Sequence, residues 1–480
     1  METVFSLFKN SAFSVITNTL NRLGNAVIFI MIVHYLGIES GGTYTIGVSY
    51  FFIASRFAFW GLDHLLTREV AKSRGEAARF LSNFLVVRVI LATAVIILTL
   101  FIVQVLPYQN STKIVISLML FSIWPENINN LCWAAFAAFE EFHYTSVSVF
   151  FGSLFQILLG LWCLSLGYGV MAMAIVFFVN NLIAMLINLL ILKKRYIGKW
   201  QKIEPGFIQE QLRIGLPFVF IGMFFIMDNR LDTITLSFVT TESVVGVYGA
   251  ATAVITALSM IPQGYRVAIL PVLARYRLQN PSQVQTLYDQ SYKFLLILGL
   301  PISAATFLLA DDLIQLLYRE PLPTAVPTLQ VISLVLLLTF LNVLNTRLLI
   351  VYDKQSLTAK FLLVTSFLNA VANIIMAPIW GAFGAGIARL VSILSLFVLN
   401  SLAVRTIVKN QTGLTLILKT ILCTLVMGAV IWLMHSYGFW WQLVGGSITY
   451  LFLIVVTRTI SRDEQAAVLA ILRLPATFRK

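Results

Sequence analysis

The chain has 480 residues, 59% of them hydrophobic and 11% charged, with a mean hydropathy of +0.90 and a formal net charge of +13. An average soluble domain carries roughly 25% charged residues, so this composition excludes a soluble core and leaves no room for a soluble domain of ordinary size. The positive charge would suggest nucleic acid in a soluble protein; here it is read against the membrane, and no nucleic-acid partner is expected.

A helix needs about 20 apolar residues to cross the hydrocarbon core. About fourteen such segments follow one another, at 13–36, 44–62, 80–106, 114–139, 147–166, 171–192, 214–239, 244–265, 294–317, 328–351, 361–378, 382–404, 414–435 and 439–456. The first is too long for a signal peptide and lacks a small-residue cleavage site, so it is read as span 1. Most of the 33 Lys and Arg lie in alternate connections. Arg68, Lys72, Arg74 and Arg79 follow span 2, and Lys193, Lys194, Arg195, Lys199 and Lys202 follow span 6. Arg275 with Arg277, Lys354 with Lys360, Arg405 with Lys409, and the C-terminal tail continue the pattern, whereas only Lys113 and Arg319 lie in the other connections. The bias predicts a multi-pass protein of the cell inner (cytoplasmic) membrane, with both termini cytoplasmic.

The long connection before span 7, with Trp200, Ile203, Phe207, Ile208 and Leu212 among charges, reads as an amphipathic linker on the inner leaflet, and 462–474 as another interfacial helix. Cys132, Cys163 and Cys423 lie inside apolar stretches without disulfide or metal spacing, and His34, His64, His143 and His435 are scattered near span ends. No cofactor and no metal site are expected.

Two short patterns recur. Glu39-Ser40 and Gly42-Thr43-Tyr44 before span 2 are echoed by Glu242-Ser243 and Gly246-Val247-Tyr248 before span 8, and Gly167-Tyr168-Gly169 before span 6 is echoed by the run from Gly381 to Ala388 opening span 12. Six spans return the chain to the same side, so the reading is an all-α protein of two parallel six-helix repeats in a pseudo-two-fold arrangement, plus two C-terminal helices. The boundaries are a first lobe at 1–196, a linker at 197–213, a second lobe at 214–410, and spans 13 and 14 with the tail at 411–480.

Charges in mid-bilayer cost roughly 2.5–3.5 kcal/mol on insertion scales and usually face a bundle interior or a wet cavity. In span 1, Asn18, Asn21, Arg22 and Asn25 form one polar stripe, read as cavity lining or as interhelical glue. Spans 2 and 3 carry Arg56 and Arg88, and span 8 ends near Arg266. Arginine binds phosphate bidentately and stays protonated, which suits a diphosphate headgroup; the alternative is snorkelling toward an interface. In span 4, Pro125 predicts a kink, and Glu126, Asn129, Asn130 and Trp133 share a face that either meets sugar rings or satisfies the broken helix. Span 7 has Asp228 and Asp232 at helical spacing, and span 11 has Asn369 and Asn373. These are the parts of a site for a coupling ion, Na⁺ or H⁺, with an Asp–Arg structural pair through Arg230, Arg347 or Arg389 as the alternative.

Several stretches resemble the polysaccharide transporter family of Wzx-type oligosaccharide flippases. They are Leu36-Gly37, Gly42-Thr43-Tyr44, Gly61-Leu62 and Arg68-Glu69-Val70-Ala71 in the opening; Gly215-Leu216-Pro217 through Asp232; Gly246 to Ala251; Ile269-Leu270-Pro271; and Asn373 to Ala388. The resemblance covers most of the chain through span 12 and implies membership of the multidrug/oligosaccharidyl-lipid/polysaccharide exporter superfamily. It implies two lobes in a V, alternating access, and a polyprenyl-diphosphate-linked glycan flipped from the inner to the outer leaflet. Related lipid II flippases use spans 13 and 14 as a groove for the lipid tail, cavity arginines for the diphosphate and a sodium site in the second lobe. Arg22 and Arg56 match the cationic positions loosely, and Asp232 with Asn369 and Asn373 matches the ion site by helix.

The expected partners are the glycan lipid and membrane lipids, with a polysaccharide polymerase and glycosyltransferases as neighbours of a working monomer. A multidrug exporter or lipid II flippase of the same superfamily is the alternative. A membrane-embedded polymerase or ligase ranks third, because the outward connections are short and catalysis would need a sizeable one; a channel would need a symmetric filter.

Overall fold

The computed structural model describes the backbone of residues 2–197, 200–318, 322–408 and 413–459, and the side chains of the same residues except 2–22 and 217–229. The expected interfacial helix at 462–474 lies outside the described residues. The described residues contain no strand. In order the helices are α1 (Glu2–Phe59), α2 (Leu62–Lys72), α3 (Ala77–Val105), α4 (Asn110–Leu120), α5 (Ile123–Ala138), α6 (Phe142–Ser165), α7 (Val170–Leu192) and α8 (Pro205–Val239). They continue with α9 (Glu242–Leu258), α10 (Met260–Gln279), α11 (Pro281–Leu308), α12 (Ala310–Tyr318), α13 (Ala325–Val351), α14 (Gln355–Val404), α15 (Leu414–Leu433) and α16 (Phe439–Val456).

Among the described residues, nine helices are long and apolar enough to cross a membrane, and α9 with α10, bent by 40°, makes a tenth. Two of the nine hold a pair of crossings each. α1 breaks at Gly37 (φ 80°) and α14 at Gly381 (φ 56°), left-handed conformations that glycine adopts without a Cβ penalty. With α4 and α5 as two halves of one span, the arrangement is compatible with fourteen crossings. α2 is different in kind: Leu62, Leu65, Leu66 and Val70 are buried on one face while Arg68, Glu69 and Lys72 stay toward the outside, the pattern of a helix lying along the bundle.

Span 4 breaks at Phe121 and Ser122, one turn before Pro125, where a proline leaves the carbonyl of residue i−4 without its helical donor and crowds it with its ring; Pro125 itself sits in the first turn of α5. The connection before span 7 also differs from a free-lying amphipathic helix. Residues 200–204 are non-helical, with Glu204 extended, and the second half of the connection is already the first turns of α8. Phe207 packs against Phe80 and Phe84, and Arg79 binds Glu204 through both carboxylate oxygens, Nε at 2.9 Å and Nη2 at 2.6 Å.

Large apolar side chains on the outer helix faces remain exposed, as with Phe101 (71%) and Trp432 (74%), which is where lipid would lie. α13 and α14 form the most extensive helix pair, and α1 crosses between the halves to pack on α8 and α9. α15 and α16 pack on each other and reach the rest through α11. Following the crossings, one end of the bundle carries the turns near Gly37, Gly167 and Gly381, and the other the basic segments 63–79, 193–213 and 275–280. These are the glycine end and the basic end.

Candidate functional site

At the glycine end the halves touch through backbone. A Cβ on Gly42 would lie 1.7 Å from the Glu242 carbonyl oxygen, and one on Gly246 would lie 2.1 Å from that of Ile38. The glycines that mark the sequence repeat are thus the point where α1 and α9 cross, because a residue with no side chain lets two helix backbones meet. Thr112 donates to Glu242 Oε1 at 3.0 Å, and the Tyr108 hydroxyl lies 2.6 Å from Ser237 Oγ and 3.1 Å from the Tyr50 hydroxyl. Thr112 with Glu242 and Tyr108 with Ser237 thus bond the two halves to each other at the glycine end. At the basic end Trp60 Nε1 reaches only the connecting segment, at Leu212 O (3.0 Å).

Inside the first half, Arg88 is fully buried. Its Nη1 donates to Asn127 Oδ1 at 2.6 Å, its Nη2 to Asp63 Oδ1, and its guanidinium lies 4.9 Å over the Phe59 ring. It is therefore held in an internal ion pair. Glu126 accepts from Ser55 Oγ (2.5 Å) and Asn130 Nδ2 (2.7 Å). Asn129 faces the other way, donating to the Asn181 carbonyl at 3.1 Å and accepting from Asn188 at 2.8 Å, so the four α5 residues grouped by spacing serve two different surfaces. Trp133 buries its Nε1 without an acceptor. Arg56 is half-buried, 5.3 Å from the Phe59 ring, and pairs with no carboxylate among the described residues. Asn25 is exposed, and the side chains of Asn18, Asn21 and Arg22 lie outside the described residues.

In the second half, Asp232 is 5% exposed and accepts from Thr233 N–H at 2.7 Å and the Tyr248 hydroxyl at 2.6 Å. α8 packs against α14, where buried Asn373 donates to Asn369 Oδ1 at 2.7 Å. Among the described residues, Asn373 Oδ1 and Ser366 Oγ have no hydrogen-bond partner, so buried oxygen atoms remain unused on α14. Oxygen atoms of this kind suit a small hard cation. Asp228 lies outside the described side chains. Arg230 lies 4.8 Å over Phe52, across the boundary between halves. Arg266 is half-buried on α10.

A cavity of about 940 Å³ runs between α1, α9, α11, α12, α15 and α16. Leu23, Val27 and Ile30 form one wall, Ala253 and Leu258 a second, and Leu443, Tyr450 and Ile454 a third; Gln290 and Lys293 stand on the part of α11 nearer the basic end. None of the polar residues singled out from the sequence whose side chains are described lines it. Composition could not reveal it, because apolar walls facing a cavity and apolar walls facing lipid read alike. Asp63 was equally hidden, since its partnership with Arg88 depends on α2 folding back under α3. Outside the membrane, the hydrogen bond from Arg79 holds the Glu204 carboxyl below the usual carboxylate range.

The family model described as polysaccharide biosynthesis protein matches residues 7–277, and the MatE model matches 217–375. No curated protein matches the sequence. Among solved structures, the lipid II flippase MurJ in an inward closed conformation aligns with a TM-score of 0.77 at 16% identity, covering 93% of this chain and 98% of that one. An inward-facing multidrug resistance MATE family transporter of the MOP superfamily aligns with a TM-score of 0.66 at 18% identity, covering 81% of this chain and 95% of that one. An outward-facing transporter of that description aligns at 0.60 and 15% identity, covering 84% and 95%.

Proposed function

Because this chain belongs to the polysaccharide biosynthesis protein family and has the fold of MOP superfamily flippases and transporters, we propose that it flips an undecaprenyl-diphosphate-linked oligosaccharide from the inner to the outer leaflet by alternating access. The substrate is an O-antigen, capsule or exopolysaccharide repeat unit. The observation that carries this reading is the apolar cavity between α1, α9, α11 and α15–α16. A soluble drug has no use for an apolar trough alongside the path, whereas a lipid-linked sugar must keep its tail in apolar surroundings while its headgroup crosses.

With the basic end on the cytoplasmic side, the contacts at the glycine end close the path outward, and the headgroup is admitted between the lobes from the cytoplasm. Arg56 and Arg266, with Arg22 and the Asn18, Asn21 and Asn25 stripe, supply cationic and amide contacts to it. Glu126, Asn130 and Trp133 are the first-lobe groups available to sugar hydroxyls. Asp232 with Asn369 and Asn373, and Asp228 one turn away, holds the coupling cation, whose charge offsets that of the carboxylates. Rocking of the lobes then exposes the headgroup outward, and cation exchange resets the cycle. The product passes to a polymerase.

The MatE match over 217–375 favours a second reading, a multidrug exporter. Deletion followed by lipid extraction separates the readings. Undecaprenyl-diphosphate glycan is expected to accumulate on the inner leaflet. Drug sensitivity without that accumulation would establish the exporter instead, and outward glycans left unpolymerised would point to an enzyme.

A further inference from the structure

Arg347 lies near the basic end of α13, half-buried, and has no hydrogen bond or ion pair to any described residue. The other described arginines within the crossings each have a contact. Arg88 has Asp63 and Asn127, Arg56 and Arg230 have aromatic faces, and Arg266 and Arg389 also interact. The Arg347 Nε is buried without an acceptor, while its two terminal nitrogens have no bond to any described residue. A guanidinium with its fork open presents two parallel N–H groups, the geometry that takes an oxyanion bidentately. An intramembrane arginine open in this way faces a wet path or a ligand.

The repeat adds a second observation. α5 ends at Glu140 (φ 62°) and α13 at Asp353 (φ 57°), acidic residues in the same left-handed turn of each half. About two turns before each stands a buried N–H without an acceptor, Trp133 Nε1 in the first half and Arg347 Nε in the second. Equivalent helices thus bring an unsatisfied donor to the same depth in both lobes.

We propose that Arg347 binds the phosphate oxygens of the lipid-linked headgroup from the second lobe, and so distinguishes a phosphorylated polyprenol from a neutral one. The anion class rests on the flippase reading. The test uses the purified full chain in nanodiscs, with undecaprenyl diphosphate, neutral undecaprenol and inorganic diphosphate as probes. Arg347→Gln is expected to weaken undecaprenyl diphosphate binding roughly tenfold or more, the worth of a charge-assisted hydrogen bond, and to leave undecaprenol unchanged. Arg347→Lys, which keeps the charge but loses the fork, falls between. Equal loss for both lipids would make Arg347 a packing residue and overturn the proposal, as would no loss at all. Inorganic diphosphate binding as tightly as the lipid would make a soluble anion the ligand and overturn the lipid assignment. If the wild-type chain retains neither lipid, the flippase reading fails, an outcome distinct from wild-type binding that ignores Arg347.

Discussion

In the first half of the chain the buried cation Arg88 is answered by Asp63 and Asn127, whereas in the second half the buried acid Asp232 accepts from Thr233 N–H and the Tyr248 hydroxyl, and Arg347 has no acceptor among the described residues. Yet the halves share their turns. Gly167 (φ 80°) matches Gly381 (φ 56°), Glu140 matches Asp353, and Gly42 meets Gly246 where α1 crosses α9. Arg74 over Phe139 (5.8 Å) is likewise echoed by Arg277 over Tyr352 (4.9 Å). The difference teaches that a repeated scaffold constrains backbone at its turns and crossings, while interior side chains are free to diverge. The deepest charge of the first half is neutralised by its own neighbours, which ties α2, α3 and α5 into a stiff body, whereas Arg347 in the second half has no carboxylate partner among the described residues.

The largest effect should come from breaking the neutralised side. Asp63→Ala leaves Arg88 fully buried beside Asn127 alone, and removing one partner of a buried pair costs about 3–5 kcal/mol. Chemical unfolding of the detergent-solubilised protein measures it. Asp63→Leu with Arg88→Met is expected to recover most of the loss, because an apolar pair of similar volume needs no compensation. A cost of only about 0.5 kcal/mol, the surface norm, would mean that the first half is not neutralised as described and would remove the contrast.

A smaller stability effect and a larger functional one are expected at Asp232. Asn in its place can still accept from Thr233 N–H through Oδ1 and donate from Nδ2 to the Tyr248 hydroxyl oxygen, so stability should change by no more than about 1.5 kcal/mol. Transport in proteoliposomes should lose its dependence on an imposed Na⁺ or H⁺ gradient. Unfolding as severe as that of Asp63→Ala would show Asp232 to be a structural ion in its own right. Gradient dependence that survives the substitution would move the coupling site elsewhere.

Hydropathy and the alternation of basic connections made the helical bundle legible in the sequence, because each span must satisfy its own backbone and carry its own apolar face. The repeat was legible at Gly42 and Gly246 because a backbone crossing tolerates one residue type. Side-chain partnerships were not. The spacing of Glu126, Asn129, Asn130 and Trp133 places them near one another on a cylinder, but Asn129 turns to Asn181 and Asn188 on α7 while Glu126 turns to Ser55 on α1. Which neighbour stands on which flank is set by packing of helices distant in sequence. Arg88 shows the same limit: its charge was visible, but its counter-ion 25 positions upstream becomes a partner only when α2 folds against α3.

The smallest effect concerns where one half ends and the other begins. The connecting segment is fastened to the first half, since Gln201 N–H donates to Ser82 Oγ at 3.0 Å, Glu204 N–H to Asn83 Oδ1 at 2.7 Å, and Arg79 binds the Glu204 carboxylate. Because Arg79 depresses the folded Glu204 pKa, this contact stabilises docking above the ordinary carboxylate value of about 4.3. It is lost as pH falls through the lower, folded value. An exposed pair of this kind contributes little to global stability, so Arg79→Ala should hardly move the thermal midpoint. Pepsin cleavage near Trp200 and Ile203, both exposed, is the sensitive readout. In the wild type it should rise as the pH drops below the carboxylate range, whereas in Arg79→Ala it should already be high above that range and change little with acid. Equal cleavage of the two proteins at every pH would show that Ser82 and Asn83 alone hold the segment, and would leave the stiff body of the first half ending at its own last helix rather than at the start of α8.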